Sequence, residues 1–572
     1  MKIKSVRIHN FRSIKDNIFN MYDYSLLIGE NNSGKTNIMT ALRVFYEDNI
    51  KFNMDRDFPK FDTDDRESWI EIEYSLEKDE HESLKVEYRN HENTLRVRKY
   101  LNSEEFDVKA NQSNIYAYEN GILSKNLFYG AKNIAQSKLG ELIYIPDVSK
   151  SSDALKLTGP SPFRNLLSYV MKKIMKSSPA YKELACSFET FNNEFKREVT
   201  DEGVSLDTLV QDINSNINTW GIKFGIQINA IREEEIIKSL ISHYIDDINL
   251  NNTIDIDNCG QGVQRHLIYT LILLSAKYKD DNSKKADFNP NLKLILFEEP
   301  EAFLHPSQQE RLNISLQQLG AEENQQILIT THSNIFVSQN TEDLKNICKV
   351  KKANGISKIY QMNESDLKEL YDDNISIFKY FKEVLEQSSD NKLKDEIRNR
   401  KLANEHSDID DILDKESMKY FLWLDSERTA MFFVNHVILC EGASEKIFFE
   451  YLINTKWTEL KEDNICIIDC MGKFNINRYM NLFSKLAISH SVLIDSDGSK
   501  GIQGIFNEFI HKSKNEFTKN IHLFETDIES FLEIDTPKRN DLKPLNIMHK
   551  YKNNYISDKK INEIRSLLEE LM

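Results

Sequence analysis

One stretch, GENNSGKT at Gly29–Thr36, restricts this 572-residue chain more than any other. It fits the spacing G-x-x-x-x-G-K-[ST], follows the apolar run YSLLI and leads into NIMTALRVF, which has helical periodicity. A strand, a glycine loop and a helix in that order let backbone N–H groups close around phosphates, and the helix dipole favours the anion. Lys35 is then placed to reach the β- and γ-phosphates of ATP, and the Thr36 hydroxyl to hold Mg2+. Gly29, Asn32, Ser33, Gly34 and Asn37 complete the candidate loop and its first helical turn.

A second apolar strand, LKLILFEEPE at Leu292–Glu301, ends in paired acids. Glu298 suits the Mg2+ shell of a nucleotide, and Glu299 the orientation or deprotonation of an attacking water. NCGQGVQR (Asn258–Arg265) is a glycine-rich turn opening a helix, FLHPSQQ follows the acidic strand, and ILITTHS carries His332 to a strand end. The order of these pieces resembles ABC ATPases of the SMC/RecF type. That resemblance implies ATP held between two copies, with Gly260, Gly262 and Gln264 in the signature turn and His332 as the switch histidine. GQGVQR departs from the transporter signature, and the interval from Lys35 to Gly260 holds no sustained heptads, so transport and chromosome tethering lose ground.

Further along, VILCEGASEK (Val437–Lys446) runs an apolar strand into Glu441, with Glu445 one turn later. SVLIDSDG offers Asp495 and Asp497 at another strand end, and NIHLFETDIES brings Asp527 and Glu529 after a third. Alternate strand positions share a face, and acids at several strand ends converge on the carboxyl edge of a parallel sheet. So many carboxylates repel one another unless hard cations such as Mg2+ or Mn2+ bind them. Two such ions could activate water and stabilise the leaving 3′-oxygen of a phosphodiester.

The Glu…Asp-x-Asp spacing is similar to the Toprim fold of topoisomerases, DnaG-type primases and OLD (overcoming lysogenization defect) nucleases. The resemblance makes Glu441 the general acid/base and a ligand, and Asp495 and Asp497 the principal metal ligands. Glu445, Asp527 and Glu529 complete the shell, Gly472 is the tight turn of DCMGK, and Lys543 stands where OLD nucleases carry a C-terminal lysine. An ATPase followed by Toprim, joined by LDSERTAMFFVNHVILCEG with its Arg428 and Phe432–Phe433, resembles the OLD family over nearly the whole chain.

The expected fold is therefore α/β: an N-terminal ABC/SMC-RecF-like ATPase with a helical insertion, and a C-terminal Toprim domain. Residues 1–160 and 249–362 are read as the two parts of the ATPase and 161–248 as a helical insertion suited to dimerisation. Residues 363–430 are read as a helical connector and 431–572 as Toprim. Strand–helix alternation predicts a largely parallel sheet.

The resemblance implies an ATP-regulated DNA endonuclease, a homodimer or higher oligomer through the ATPase, and a role in anti-phage defence. Relatives act beside a helicase-like partner, as in Gabija systems, or with a retron reverse transcriptase and its DNA; the sequence does not choose. The alternative is an ATP-gated repair or scaffold protein of RecF/SMC type whose Toprim-like domain only binds, and the complete acid set argues against it. No tyrosine-nucleophile domain or zinc-binding cysteine spacing supports a topoisomerase or a primase.

With 40% hydrophobic residues the chain can build real cores, and its net charge of −17 argues against coating nucleic acid by bulk electrostatics. No apolar run approaches membrane-spanning length and the N-terminus lacks a signal block, so a cytoplasmic protein with no membrane association is expected. Six scattered cysteines suit reduced, buried thiols.

Overall fold

The computed structural model describes residues 1–48, 50–110, 112–130, 139–147, 155–157, 161–195, 198–226, 237–238, 241–247, 252–277, 288, 290–338, 340–400, 402–403, 428–496 and 501–572. The chain divides into two compact units: Met1–Tyr144 with Lys285–Met572, and Ile145–Lys284.

In chain order the strands are β1 (Lys2–Phe11), β2 (Ile14–Asn20), β3 (Tyr24–Ile28), β4 (Ser68–Ser75), β5 (Thr94–Asn102), β6 (Ile115–Glu119), β7 (Ile122–Leu127) and β8 (Glu141–Ile145). Then follow β9 (Ile245–Asp247), β10 (Asn252–Ile254), β11 (Lys293–Glu298), β12 (Gln325–Thr330), β13 (Ile347–Ala353) and β14 (Ile356–Tyr360). Apart from β9 and β10, these form one sheet in the order β7-β6-β5-β4-β1-β2-β14-β13-β3-β12-β11-β8.

Only part of this sheet is parallel. β13, β3, β12 and β11 run side by side in one direction, as the alternation of strands and helices demands. From β2 through β1, β4, β5 and β6 to β7 every pairing is antiparallel, which corrects the expectation of a largely parallel sheet. Short reversals at Arg12–Ser13, Asn120–Gly121 and Asn354–Gly355 make hairpins of β1–β2, β6–β7 and β13–β14, with no room there for a crossover helix. Asn120 and Gly121, like Asn354 and Gly355, take positive φ at both central residues, the backbone of a type I′ hairpin turn.

The core of this part packs β1, β3, β4 and β5 against the helix Lys35–Phe45. Ile38, Met39, Leu42 and Phe45 on the helix are buried with Val6, Ile8, Leu27, Ile70, Ile72 and Val97 on the strands. Each such side chain contributes roughly 1.5–3 kcal/mol by leaving water.

The remaining strands, β15 (His436–Cys440), β16 (Ile465–Asp469), β17 (His490–Asp495) and β18 (Thr518–Phe524), form a separate sheet in the order β16-β15-β17-β18. All of its pairings are parallel. β15, β16 and β17 lead into the helices Ala443–Thr455, Ile476–Lys485 and Gly501–Lys512. Ile438, Phe448, Phe449, Leu452, Trp457 and Phe524 form its core with Ile564 and Leu568 of the last helix, Asp558–Leu571. The helix Glu364–Gln387 packs Ile377 and Phe381 with Phe506 of the helix after β17.

The second unit contains the helices Pro162–Ser177, Pro179–Phe195, Leu206–Ile217 and Gln261–Lys277 and the antiparallel pair β9–β10. Leu155, Ile256 and Leu271 form a small core there. Ser161 and Ser205 cap their helices through hydrogen bonds to backbone N–H groups three residues on. Cys348, Cys440 and Cys470 are buried free thiols, whereas Cys186 is exposed. No helix among the described residues is long and apolar enough to cross a membrane.

Candidate active sites

The first site lies at the carboxyl ends of β3, β11 and β12. β3 is buried at every position, so the chain must turn out of the sheet at Gly29. Gly29 (φ 149) and Gly34 (φ 111) leave no room for a side chain. A Cβ on the first would meet the Val350 carbonyl, and one on the second the Ser357 and Ser13 hydroxyls. Asn32 is exposed with φ 64, and Ser33 is buried.

Lys35 folds back over this loop, with Nζ donating to the carbonyls of Gly29 and Glu30, both at 2.8 Å. Burial lowers its pKa to about 8, opposed by the charges of Glu299, Glu301 and Glu30. A phosphate would replace those carbonyls with a stronger partner. Thr36 is exposed on the first turn. Asn37, expected to contact nucleotide, bonds with Ser13 Oγ (2.7 Å) and Arg12 (3.3 Å) and so braces the loop.

Glu298, the buried last residue of β11, accepts a hydrogen bond from the Tyr144 hydroxyl at 2.8 Å. Glu299 follows in the left-handed region (φ 42), its N–H donating to the Thr330 carbonyl at 2.9 Å. That turn directs its carboxylate toward His332, with Nε2 3.7 Å from Oε1. Burial and the charge of Lys35 lower the His332 pKa, against the opposing pull of Glu299. Glu301, to which the motifs assign no role, accepts the His332 backbone N–H at 2.6 Å. Burial raises its pKa.

Gly260, Gly262 and Gln264 belong to the second unit. The Gly260 carbonyl accepts the N–H groups of Val263 and Gln264 as the helix begins. Gln264 Nε2 donates to the Cys259 carbonyl at 2.8 Å, which secures the turn.

The second site lies at the carboxyl edge of the four-stranded sheet. Glu441 follows β15, and its Oε2 accepts the Asp495 backbone N–H from the end of β17 at 3.4 Å. Glu445, in the first turn of the helix after β15, is only 5% exposed, and its Oε2 has no hydrogen-bond partner. Burial raises its pKa to about 7, with the charges of Glu441 and Glu529 adding to the effect. Glu529 is 1% exposed, and its Oε1 is likewise without a partner. Burial raises its pKa too, and Lys543 opposes the rise with Nζ 3.8 Å from Oε2.

Asp527 caps the short helix Ile528–Phe531 by accepting the Ser530 N–H at 2.8 Å, a structural use that its place in the motif does not announce. Asp497 lies outside the described residues. Lys473 is a further residue that sequence reasoning missed: it is 2% exposed, and its Nζ donates to the Asp495 carbonyl at 2.7 Å and stands 3.5 Å from Glu441 Oε2. DCMGK displays this lysine, but only the fold reveals what it reaches.

Among the described residues no three acidic, histidine or cysteine side chains stand close enough to chelate an ion as they are. Two buried carboxyl oxygens without partners are nevertheless unfavourable unless protonated or bound to a cation. Glu445 and Glu529 thus fit the hard oxygen donors that divalent ions take.

A family model described as an AAA ATPase domain matches residues 1–123 and 73–337. One described as the Toprim domain of overcoming lysogenization defect protein-like proteins matches residues 432–497. Old nuclease of Escherichia phage P2 is 22% identical over 518 residues, covering 87% of this chain and 77% of its own. Endonuclease GajA of Bacillus cereus (strain VD045) is 23% identical over 531 residues, covering 88% and 77%. Among solved structures, an SMC head bound to the C-winged helix domain of ScpA aligns with 64% of this chain and 100% of its own, at 14% identity and a TM-score of 0.36. That likeness is too loose to carry an argument. The two domain matches, in this order on one chain, imply use of a nucleotide and of divalent metal. The chain belongs to the AAA ATPase domain family, which its first 337 residues match, and it carries behind them a domain that matches the Toprim domain of overcoming lysogenization defect protein-like proteins.

Proposed function

We propose that this protein is an ATP-binding, metal-dependent DNA endonuclease of anti-phage defence, in which the Toprim acids cut and the ATPase regulates cutting. The observation that carries the reading is the buried pair Glu445 and Glu529, each with one carboxyl oxygen lacking a hydrogen-bond partner, beside Glu441 and Lys543, in a chain with a formed phosphate loop. A domain that only bound DNA would gain nothing by burying carboxyl oxygens that no partner satisfies. The curated relatives are named a nuclease and an endonuclease.

Glu441, Glu445, Asp495, Asp497 and Glu529 would hold Mg2+ or Mn2+, and Asp527 would support them from its cap. Bound ions would supply activation of water and stabilisation of the leaving oxygen. Glu441 would move a proton at the attacking water, and Lys543 would offset charge on the scissile phosphate. At the other site Lys35 and the loop N–H groups bind the phosphates of ATP, with Thr36 and Glu298 toward its Mg2+. Glu299 orients water, and His332 contacts the terminal phosphate. Gly260, Gly262 and Gln264 of a second copy would close over that nucleotide in a homodimer or larger assembly.

The test is cleavage of supercoiled plasmid with Mn2+ or Mg2+, with and without ATP. Native protein is expected to nick or linearise the plasmid, and Asp495→Ala to slow it about 100-fold or more. Lys35→Ala is expected to keep the metal-dependent cut but lose the response to ATP. Cleavage that survives Asp495→Ala would reject the Toprim assignment.

A further inference from the structure

We infer that Lys473 is a positioning residue of the Toprim site, a resident cation that fixes Glu441 and the end of β17 before any metal arrives. The inference rests on that site being the metal-dependent centre proposed above.

Lys473 follows β16 at the edge of the sheet, yet its ammonium lies against the ends of β15 and β17. Neighbouring strands lie about 4.8 Å apart, so the side chain reaches across the central strand. The turn that launches it is built for the reach. Cys470 N–H donates to the Cys440 carbonyl (3.0 Å), and Gly472 N–H to the Glu441 carbonyl (2.8 Å). Gly472 takes φ 109, a conformation few other residues adopt.

From there Lys473 Nζ binds the Asp495 carbonyl, which also receives Asn507 Nδ2 at 3.4 Å. Glu441 Oε2 faces the same ammonium and the Asp495 N–H. One carboxylate oxygen of the expected general acid/base is thus held by the protein, in register with the strand end that carries Asp495. Without that cation the acids at the two strand ends would repel, and a divalent ion would have to draw them together as it bound.

Removing Lys473 has two physical effects, and they oppose each other. Lost preorganisation weakens metal binding, and outer contacts of this kind typically alter metal affinity ~10–100-fold. Lost repulsion between an ammonium and a divalent ion strengthens it. The positioning role requires the first effect to dominate.

The experiment compares native protein with Lys473→Met and Lys473→Arg. Calorimetric titration with Mn2+ alone, in the absence of DNA, reads metal affinity. Plasmid cleavage across Mn2+ and plasmid concentrations reads kcat and KM. Lys473→Met is expected to bind Mn2+ at least ~10-fold more weakly and to lose kcat with little change in KM for DNA. Lys473→Arg, which keeps the charge, should recover part of the affinity. Unchanged or tighter Mn2+ binding by Lys473→Met overturns the inference, whatever cleavage does. If Lys473→Met does not fold, Lys473→Arg and Lys473→Gln take its place: the expected order of affinity is native, Arg, Gln, and equal affinities overturn the inference. Loss of the nuclease reading itself would instead show as cleavage by Asp495→Ala, and the calorimetric comparison would stand apart from it.

Discussion

Gly34 and Gly121 both hold positive φ, 111 and 83, but only Gly34 is walled in. A Cβ on Gly34 would strike the Ser357 and Ser13 hydroxyls, which brace the underside of the phosphate loop. One on Gly121 would meet nothing within 4 Å. Gly121→Ala should therefore lose only about 1 kcal/mol of stability, from backbone strain, and bind nucleotide as native protein does. Gly34→Ala should displace the loop and weaken binding of a fluorescent ATP analogue ~10-fold or more, on top of that strain of roughly 1–3 kcal/mol. Equal binding by the two variants would show that the serines yield and the loop is not held from beneath. At this scale the sequence displays residues whose role follows from their neighbours in the chain. The glycines and Lys35 of the phosphate loop are of that kind, and so are Glu298 and Glu299 at the end of an apolar run. It hides those whose role comes from distant backbone. Glu301 meets the His332 N–H and Lys473 meets the Asp495 carbonyl, and neither pairing has a signature in local spacing.

Among the elements, the apolar strands and the amphipathic helices were legible because burial imposes their periodicity. The antiparallel strands β2, β6, β7 and β14 were less so, although Asn120–Gly121 and Asn354–Gly355 are the residue pairs that type I′ hairpins favour. Nor could periodicity reveal the place of β13. It pairs in parallel with β3, Lys349 opposite Ile28, so its backbone lies against the phosphate loop. From the same strand Lys349 Nζ donates to the Phe432 carbonyl at 2.9 Å and Lys351 Nζ to the Ala487 carbonyl at 2.7 Å. Phe432 and Ala487 precede β15, which leads to Glu441, and β17, which ends in Asp495. A cleft of about 320 Å3 lies where Gly29–Ser33, Lys349, Lys351 and Phe432–Val434 meet. Burial lowers the pKa of Lys349 to about 7, so this contact is held by a costly group. Coupling between sites travels through rigid, packed elements, typically with ~1–3 kcal/mol. The double variant Lys349→Met with Lys351→Met should bind ATP within about threefold of native, while the factor by which ATP changes the cleavage rate shrinks toward one. An undiminished ATP effect in that variant would exclude β13 as the route.

For the whole molecule, the sequence announces a net charge of −17, two kinds of domain and an insertion read at 161–248, whereas the compact unit there runs from 145 to 284. The sequence does not announce which groups make folding depend on pH. His436 and His490, at the starts of β15 and β17, are both nearly inaccessible. His490 lies between the Ile488 carbonyl (2.9 Å) and the Thr518 hydroxyl (2.8 Å), and His436 between the hydroxyls of Ser489 and Ser491. Burial lowers both pKa values to about 4, and Lys519 and the other histidine add to the effect at His436. In the unfolded chain a histidine takes its proton near 6.5. Between pH 6.5 and 4 the unfolded state therefore holds more protons, and stability falls as pH drops through that window and is level above it. The surplus of acids works the other way, since protonating carboxylates relieves self-repulsion. The difference between native protein and His490→Gln isolates the histidine contribution. Thermal melts from pH 8 to pH 4.5 should show native protein more stable by a margin that is constant above pH 6.5 and narrows below it, because a glutamine takes up no proton on unfolding. A margin that stays constant across the whole range would mean that His490 keeps an ordinary pKa in the fold, and that the start of β17 is open to water.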